Sequence, residues 1–220
     1  MTRLNRERVL RAAVALADEG GIESLSMRRL AQELDVVPMA LYKHVANKEQ
    51  LLDGMVDAVV REIELPQPGS DWRDAVRRRV LSARTVLLRH RWAYRVIESR
   101  TGPTPAVLEY LDSMIGVFRD GGLSADLTHH AMHALGSRVL GFSQELFDTS
   151  GGAAAPDAGA ADTMAERYPR IAELAGAAAH DGGSVVGGGC DDRFEFEFAL
   201  DLLLDGFERL RARGWTSAAG

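Results

Sequence analysis

Between Asn5 and Glu19 the apolar residues Val9, Ala12, Ala13, Leu16 and Ala17 recur at helical spacing, and Gly20-Gly21 end the run as a helix C-cap does. From Ser26 to Leu34 the apolar positions Met27, Leu30, Ala31 and Leu34 follow i, i+3, i+4, i+7, with Ser26 as N-cap. "DVV" then makes a three-residue turn, and Pro38 sits at a first helical position. In the next helix Leu41 and Val45 face inward, which leaves Met39, Ala40, Lys43 and His44 outward. Asn47 and Gln50 form a relaxed capping box. The helix behind them carries Leu51, Leu52, Met55, Val56, Val59, Val60 and Ile63 and runs to the hinge "LPQPG" at 65–69.

The same period continues beyond the hinge. It predicts helices over 71–90, 92–99, 106–119, from Ser124 to about Phe147, and over 192–211, broken by "TGPTP" at 101–105 and "DGG" at 120–122. "FEFEF" at 194–198 alternates like a strand, but Phe198, Leu202, Leu203, Phe207 and Leu210 carry helical spacing through the segment, so it reads as helix. A weaker helix is expected over 166–180. Residues 150–161 and 181–189 are Gly- and Ala-rich, and we expect them to be flexible. The fold class that follows is all-α.

Composition changes little in this picture. The chain has 220 residues, 46% hydrophobic and 26% charged, and its wealth of Ala, Leu and Val suits helices. A net charge of −6 excludes a generally basic nucleic-acid binder, so any such binding needs a local patch. Cys190 is the single cysteine, which excludes an internal disulfide and a Cys-based zinc site. No apolar run reaches membrane-spanning length, and "MTRLNRERVL" lacks a signal-peptide core, so a cytoplasmic protein without membrane contact is expected.

Two helices joined by a three-residue turn, the second presenting small and polar groups, make a helix-turn-helix. Such a helix fits the major groove of DNA, and its neighbours hold phosphates. Ala40 permits close approach, Tyr42, Lys43, His44 and Lys48 supply donors and charge, and Arg28 and Arg29 add cations. The pieces "GIESLSMRRLAQEL" and "LYKHVANKEQLLD" resemble the N-terminal domain of the tetracycline-repressor (TetR) family over roughly residues 5–64. The resemblance implies a homodimer on double-stranded operator DNA. It places Pro38, Met39, Ala40, Lys43 and His44 in the groove, Tyr42 and Lys48 on phosphates, and Arg28 on a base or phosphate, with Ser26 beside them. One departure is Asp35, where the family commonly has glycine in the turn; Asp tolerates the left-handed conformation the turn needs. Residues 1–64 hold 9 Lys/Arg and 11 Asp/Glu, a net of −2, so the groove-facing side must be basic by arrangement rather than by sum.

Past residue 70 the similarity continues through "RTGPTP" and "ALGSRVLG". It implies a helix-turn-helix domain at 1–47, a connecting helix at 48–66 and a helical effector-binding and dimerisation domain at 67–220. Candidate effector contacts are Val86, Arg100, Tyr110, Met114, Phe118, His130, His133 and Ser137, a mostly apolar set with polar anchors. Leu140, Phe198, Leu202, Leu203 and Phe207 are the candidate dimer contacts, the last four read as one side of the final helix. Glu64, Ser82, Val86 and Arg100 stand where a tetracycline site carries its histidines and drug contacts. Magnesium–tetracycline is therefore not expected, and no cofactor is. His129 and His133 have metal-binding spacing but no third ligand, and no metal site is expected. The leading function is a repressor released by a small-molecule inducer, repression being implied by the resemblance alone. The alternative is a helical-bundle ligand-binding protein or enzyme with a non-functional helix-turn-helix, although no catalytic motif is present.

Overall fold

The computed structural model describes residues 3–141, 166–170, 173 and 192–219. The principal helices are α1 (Arg6–Gly20), α2 (Met27–Glu33), α3 (Pro38–Leu41), α4 (Lys48–Val60), α5 (Trp72–Arg89), α6 (Ala93–Ser99), α7 (Pro105–Asp120), α8 (Ala125–Gly141) and α9 (Asp192–Ala212). Short 3-10 turns occupy Ile22–Ser24 and Ser217–Ala219. Among the described residues there is no strand, so "FEFEF" belongs to a helix. The expected helix at 166–180 is described only at 166–170 and 173, where short helical pieces flank Tyr168. The Gly- and Ala-rich segments and the expected end of α8 near Phe147 lie outside the described residues.

Local chemistry fixes the helix ends. Asn5 Oδ1 accepts from Arg8 N–H at 2.8 Å, and Ser124 Oγ accepts from Leu127 N–H at 3.0 Å. Asp71 caps α5 by accepting from Arg73 N–H at 2.9 Å. At α7 the N-cap Thr104 makes no such bond. Asp57, buried on α4, reaches across instead and accepts from Ala106 N–H at 3.0 Å. A carboxylate 49 positions upstream thus satisfies a helix N-terminus, where orphan donors and the macrodipole favour negative charge.

Packing divides the chain into two compact units, one of Met1–Met132 with Leu210–Gly220 and the other of His133–Arg209. The apolar core continues across residue 66. One apolar core runs from Val9, Leu10 and Ala13 of α1 through Leu30, Leu41, Val45, Leu51, Met55 and Val59 to Val86, Val96 and Ala106. The reason is α4, which packs on α1 with one face and on α5, α6 and α7 with the rest. Further along the first unit, Trp72 meets Phe118 with ring centroids 5.8 Å apart, beside buried Val76, Met114, Leu123 and Leu127. In α9 the buried residues are Phe196, Leu200, Leu204 and Phe207, while Phe194, Phe198 and Leu202 are exposed.

This corrects the reading of α9. At about 100° per residue, Phe207 lies opposite Phe198, so the two cannot share a face. Phe207 is already buried within the chain, Leu203 is half-buried, and only Phe198 and Leu202 of the expected contacts stand exposed. The side chain of Leu140 lies outside the described residues.

Candidate nucleic-acid interface

Ser26 Oγ accepts from Arg29 N–H at 3.1 Å and starts α2. The helix ends in a Schellman motif: Val36 N–H donates to Ala31 O at 2.9 Å and Asp35 N–H to Gln32 O at 3.1 Å. Asp35 has φ 53°, the left-handed conformation that the turn demands. Val37 is extended, as a residue before proline must be, and Pro38 opens α3.

Regular helix in α3 lasts one turn, Pro38–Leu41, and a turn carries the chain through His44 to Val45, so the expected longer recognition helix is shorter than its sequence period. The chain must become extended at Asn47, which caps α4 by accepting from Gln50 N–H at 2.8 Å. Gln50 Oε1 in turn accepts from Ala46 N–H at 2.6 Å, one residue before the position a strict capping box uses.

Leu41 and Val45 are fully buried and anchor this segment on the core. The outer face carries Pro38, Met39, Tyr42 and Lys43, all exposed, with Ala40 and His44 half-buried and Lys48 exposed at the start of α4. Ser26 and Arg28 are exposed on α2. The sequence reading missed Val37, which is 68% exposed beside Met39 at 71%. An apolar residue in a turn gives no periodic signal, yet two adjacent exposed apolar groups suit thymine methyls in a major groove.

Charge is arranged as the net count required. Arg28, Arg29, Lys43 and Lys48 have no acidic partner within 4.0 Å among the described residues. Six acids of this region face other groups, while Glu33 and Asp35, at the end of α2 and in the turn, stand exposed. Glu49 and Asp53 hold Arg100, at 2.5 and 3.1 Å, and Glu62 holds Arg89 at 2.8 Å. Asp18 accepts from Trp92 Nε1–H at 2.7 Å and lies 2.8 Å from His90 Nδ1. Asp57 caps α7, and Glu23 meets Arg95 at 3.5 Å. The cations of this segment are thus not neutralised by ion pairs within the described residues.

The expected effector residues fall on buried and exposed faces alike. Val86 lies in the apolar core and Tyr110 packs against it, while Met114 and Phe118 are buried elsewhere, Phe118 against Trp72. Arg100 is bound to α4 by two carboxylates, so it joins α6 to α4 rather than facing an interior space. His130, His133 and Ser137 are exposed, because α8 buries the face of Leu127, Thr128, Ala131 and Leu135 instead. His130 stacks edge-on against Trp215 at 5.5 Å, and its Nε2 lies 3.6 Å from Asp126. None of these placements was visible from spacing, since each depends on an element distant in sequence. Among the described residues, no three His, Cys, Asp or Glu side chains converge on a point that could hold a metal. Nor is any described helix long and apolar enough to cross a membrane.

Two family descriptions match the chain: "Bacterial regulatory proteins, tetR family" over residues 9–55 and "Tetracyclin repressor-like, C-terminal domain" over residues 65–211. The class G tetracycline repressor protein of Vibrio anguillarum is 33% identical, the alignment covering 96% of this chain and 97% of that protein. The crystal structure of the Streptomyces coelicolor TetR family protein ActR in complex with actinorhodin is similar with a TM-score of 0.69 at 28% identity. It covers 94% of this chain and 98% of ActR. The structure of BioQ with its double-stranded DNA operator matches with a TM-score of 0.62 at 26% identity, over 93% of this chain and 98% of BioQ. The chain belongs to the tetR family of bacterial regulatory proteins.

Proposed function

We propose that this protein is a transcriptional repressor that binds a palindromic operator as a homodimer and releases it when a small molecule occupies the helical body. The observation that carries this reading is the exposed segment Val37–Lys43, held rigid by buried Leu41 and Val45 and flanked by cations without acidic partners among the described residues. Lys43 and His44 would reach base edges, Val37 and Met39 thymine methyls, and Tyr42, Lys48 and Arg28 phosphates. Two copies would read successive major grooves about 34–36 Å apart. The exposed stripe of Phe194, Phe198 and Leu202 on α9 supports a second copy as the covering partner. We read the protein as a regulator acting at cytoplasmic DNA rather than as a catalyst.

Release would run through α4. Arg100 ties its first two turns to α6, Asp57 ties its last turn to α7, and Ser82 Oγ accepts from Glu64 N–H at 3.0 Å just beyond its end. An inducer acts only if it prefers the arrangement in which these ties have shifted. The test is a fluorescence-anisotropy salt titration on palindromic operator DNA. Lys48→Ala should weaken binding and lower the salt slope by about one, as loss of a phosphate contact does. Tyr42→Ala should weaken binding while leaving the melting temperature within a few degrees of the parent. Unchanged affinity in both variants would reject the assignment.

A further inference from the structure

The body holds a buried cation that the regulator reading leaves unused. Arg79, in the middle of α5, is 3% exposed. Its guanidinium carbon lies 4.7 Å from the centre of the Tyr110 ring on α7, and Nη1 donates to the Glu64 carbonyl at 3.1 Å. Among the described residues Nε has no acceptor and no carboxylate lies within 4.0 Å of this head group. The contrast is Arg100, which is met by two carboxylates.

A guanidinium removed from water is costly unless an anion meets it, and an aromatic face with one carbonyl offsets only part of that cost. The local medium is poorly solvating. Burial lowers the pKa of Arg79 from its ordinary value, partly offset by Tyr110, and burial raises that of the Tyr110 phenol, which Arg79 partly counters. On either side of this pair the helix faces are apolar, with Ala83 and Val86 of α5 toward one end and Met114 and Phe118 of α7 toward Trp72 at the other. A planar fork of donors in apolar surroundings matches one chemistry above others, a carboxylate carried on an apolar body.

We propose that Arg79, braced by Tyr110, is the anion-recognition point of the body and that the effector is an apolar molecule bearing a carboxylate. This rests on the regulator reading and gives its effector a chemical class. The position also offers a route to α4. Arg79 and Ser82, one turn apart on α5, hold the carbonyl and the N–H of the same residue, Glu64. An anion drawing on the Arg79 fork competes with the Glu64 carbonyl and loosens the corner from which α4 departs.

The test uses the full chain and matched probes: 2-naphthoate and anthracene-2-carboxylate, each against its uncharged primary amide, by calorimetry and thermal shift. The parent should bind at least one acid about tenfold or more tighter than its amide, the margin expected of a charge-assisted bidentate contact. Arg79→Met should bring the acid down to the amide's affinity, and Arg79→Lys should keep part of the preference. The proposal is overturned if amides bind as well as acids, if Arg79→Met keeps the preference, or if no acid binds at millimolar concentration. Should Arg79→Met fail to fold, the parent's preference and the Arg79→Lys variant decide. Operator anisotropy run alongside separates the two readings. Acids that bind through Arg79 without releasing DNA leave the anion point standing and sink the effector reading. Amides that release DNA as well as acids do the reverse.

Discussion

Replacing Asp18 by alanine removes the acceptor that two buried rings share at the surface end of α1. Asp18 sits in the last turn of α1, His90 at the end of α5 and Trp92 at the start of α6. Its carboxylate can only accept, so His90 Nδ1 donates to it at 2.8 Å and Trp92 Nε1 at 2.7 Å. Both rings are buried, and neither donor has another acceptor among the described residues. His90 Nε2 keeps a longer contact of 3.4 Å to Glu62, which does nothing for Nδ1. A buried donor left without its acceptor costs about 1–3 kcal/mol, so two together cost about 2–4 kcal/mol once some relaxation toward water is allowed. For a protein of this size each kcal/mol moves Tm by about 2–4 °C, which puts the expected fall at about 5–15 °C. Asp18→Asn retains one oxygen for one of the two donors and should lose about half as much. Circular-dichroism melts of the three proteins at neutral pH measure this. An alanine variant melting within about 1 °C of the parent would show that this acceptor contributes nothing net and would refute the reasoning.

Gly121→Ala tests packing alone, because Gly121 has φ −71° and needs no left-handed freedom. A methyl there would lie 2.8 Å from Trp72 Cδ1 and closer to Cβ and Cγ, so urea denaturation should show a loss of about 1–3 kcal/mol, and an unchanged midpoint would contradict the close approach of α7 to Trp72. At Asp126, the Ser217 N–H at 2.6 Å and hydroxyl at 2.9 Å hold the carboxyl below its usual pKa, with His130 and His129 adding to the effect. A depressed folded-state pKa stabilises above the unfolded value of about 3.9 and is lost as pH falls through the folded value. Emission of Trp215, which stacks on His130, should therefore change below about pH 4 in the parent and show no such transition in Asp126→Asn. An identical acid transition in both would assign it elsewhere.

Much of the head was legible because its signals are local. The 3.6-residue period alone separates buried Leu41 and Val45 from exposed Met39 and Lys43. Asp35 was expected to take the left-handed turn and does, since few residue types tolerate that conformation. The body was less legible for the same reason in reverse. The partners of Arg100 lie 47 and 51 positions upstream, and that of His90 lies 72 positions away, distances over which spacing carries no information. Arg79 stands in the run "VRRRV", where nothing distinguishes the buried arginine from its exposed neighbour Arg78 until α7 brings Tyr110 against it.

What the sequence determined by itself was everything set within one or two helical turns: the helices and their caps, the three-residue turn before Pro38, and the identity of the outward face. The tertiary structure decided how charge is used. In a net acidic head, Arg28, Arg29, Lys43 and Lys48 keep no acidic partner among the described residues, while Asp18, Glu49, Asp53, Asp57 and Glu62 are drawn to partners on α5, α6 and α7 or to their own helix. Electrostatic attraction acts through space rather than along the chain. Only the packed fold could show which carboxylates are engaged and which cations keep no acidic partner.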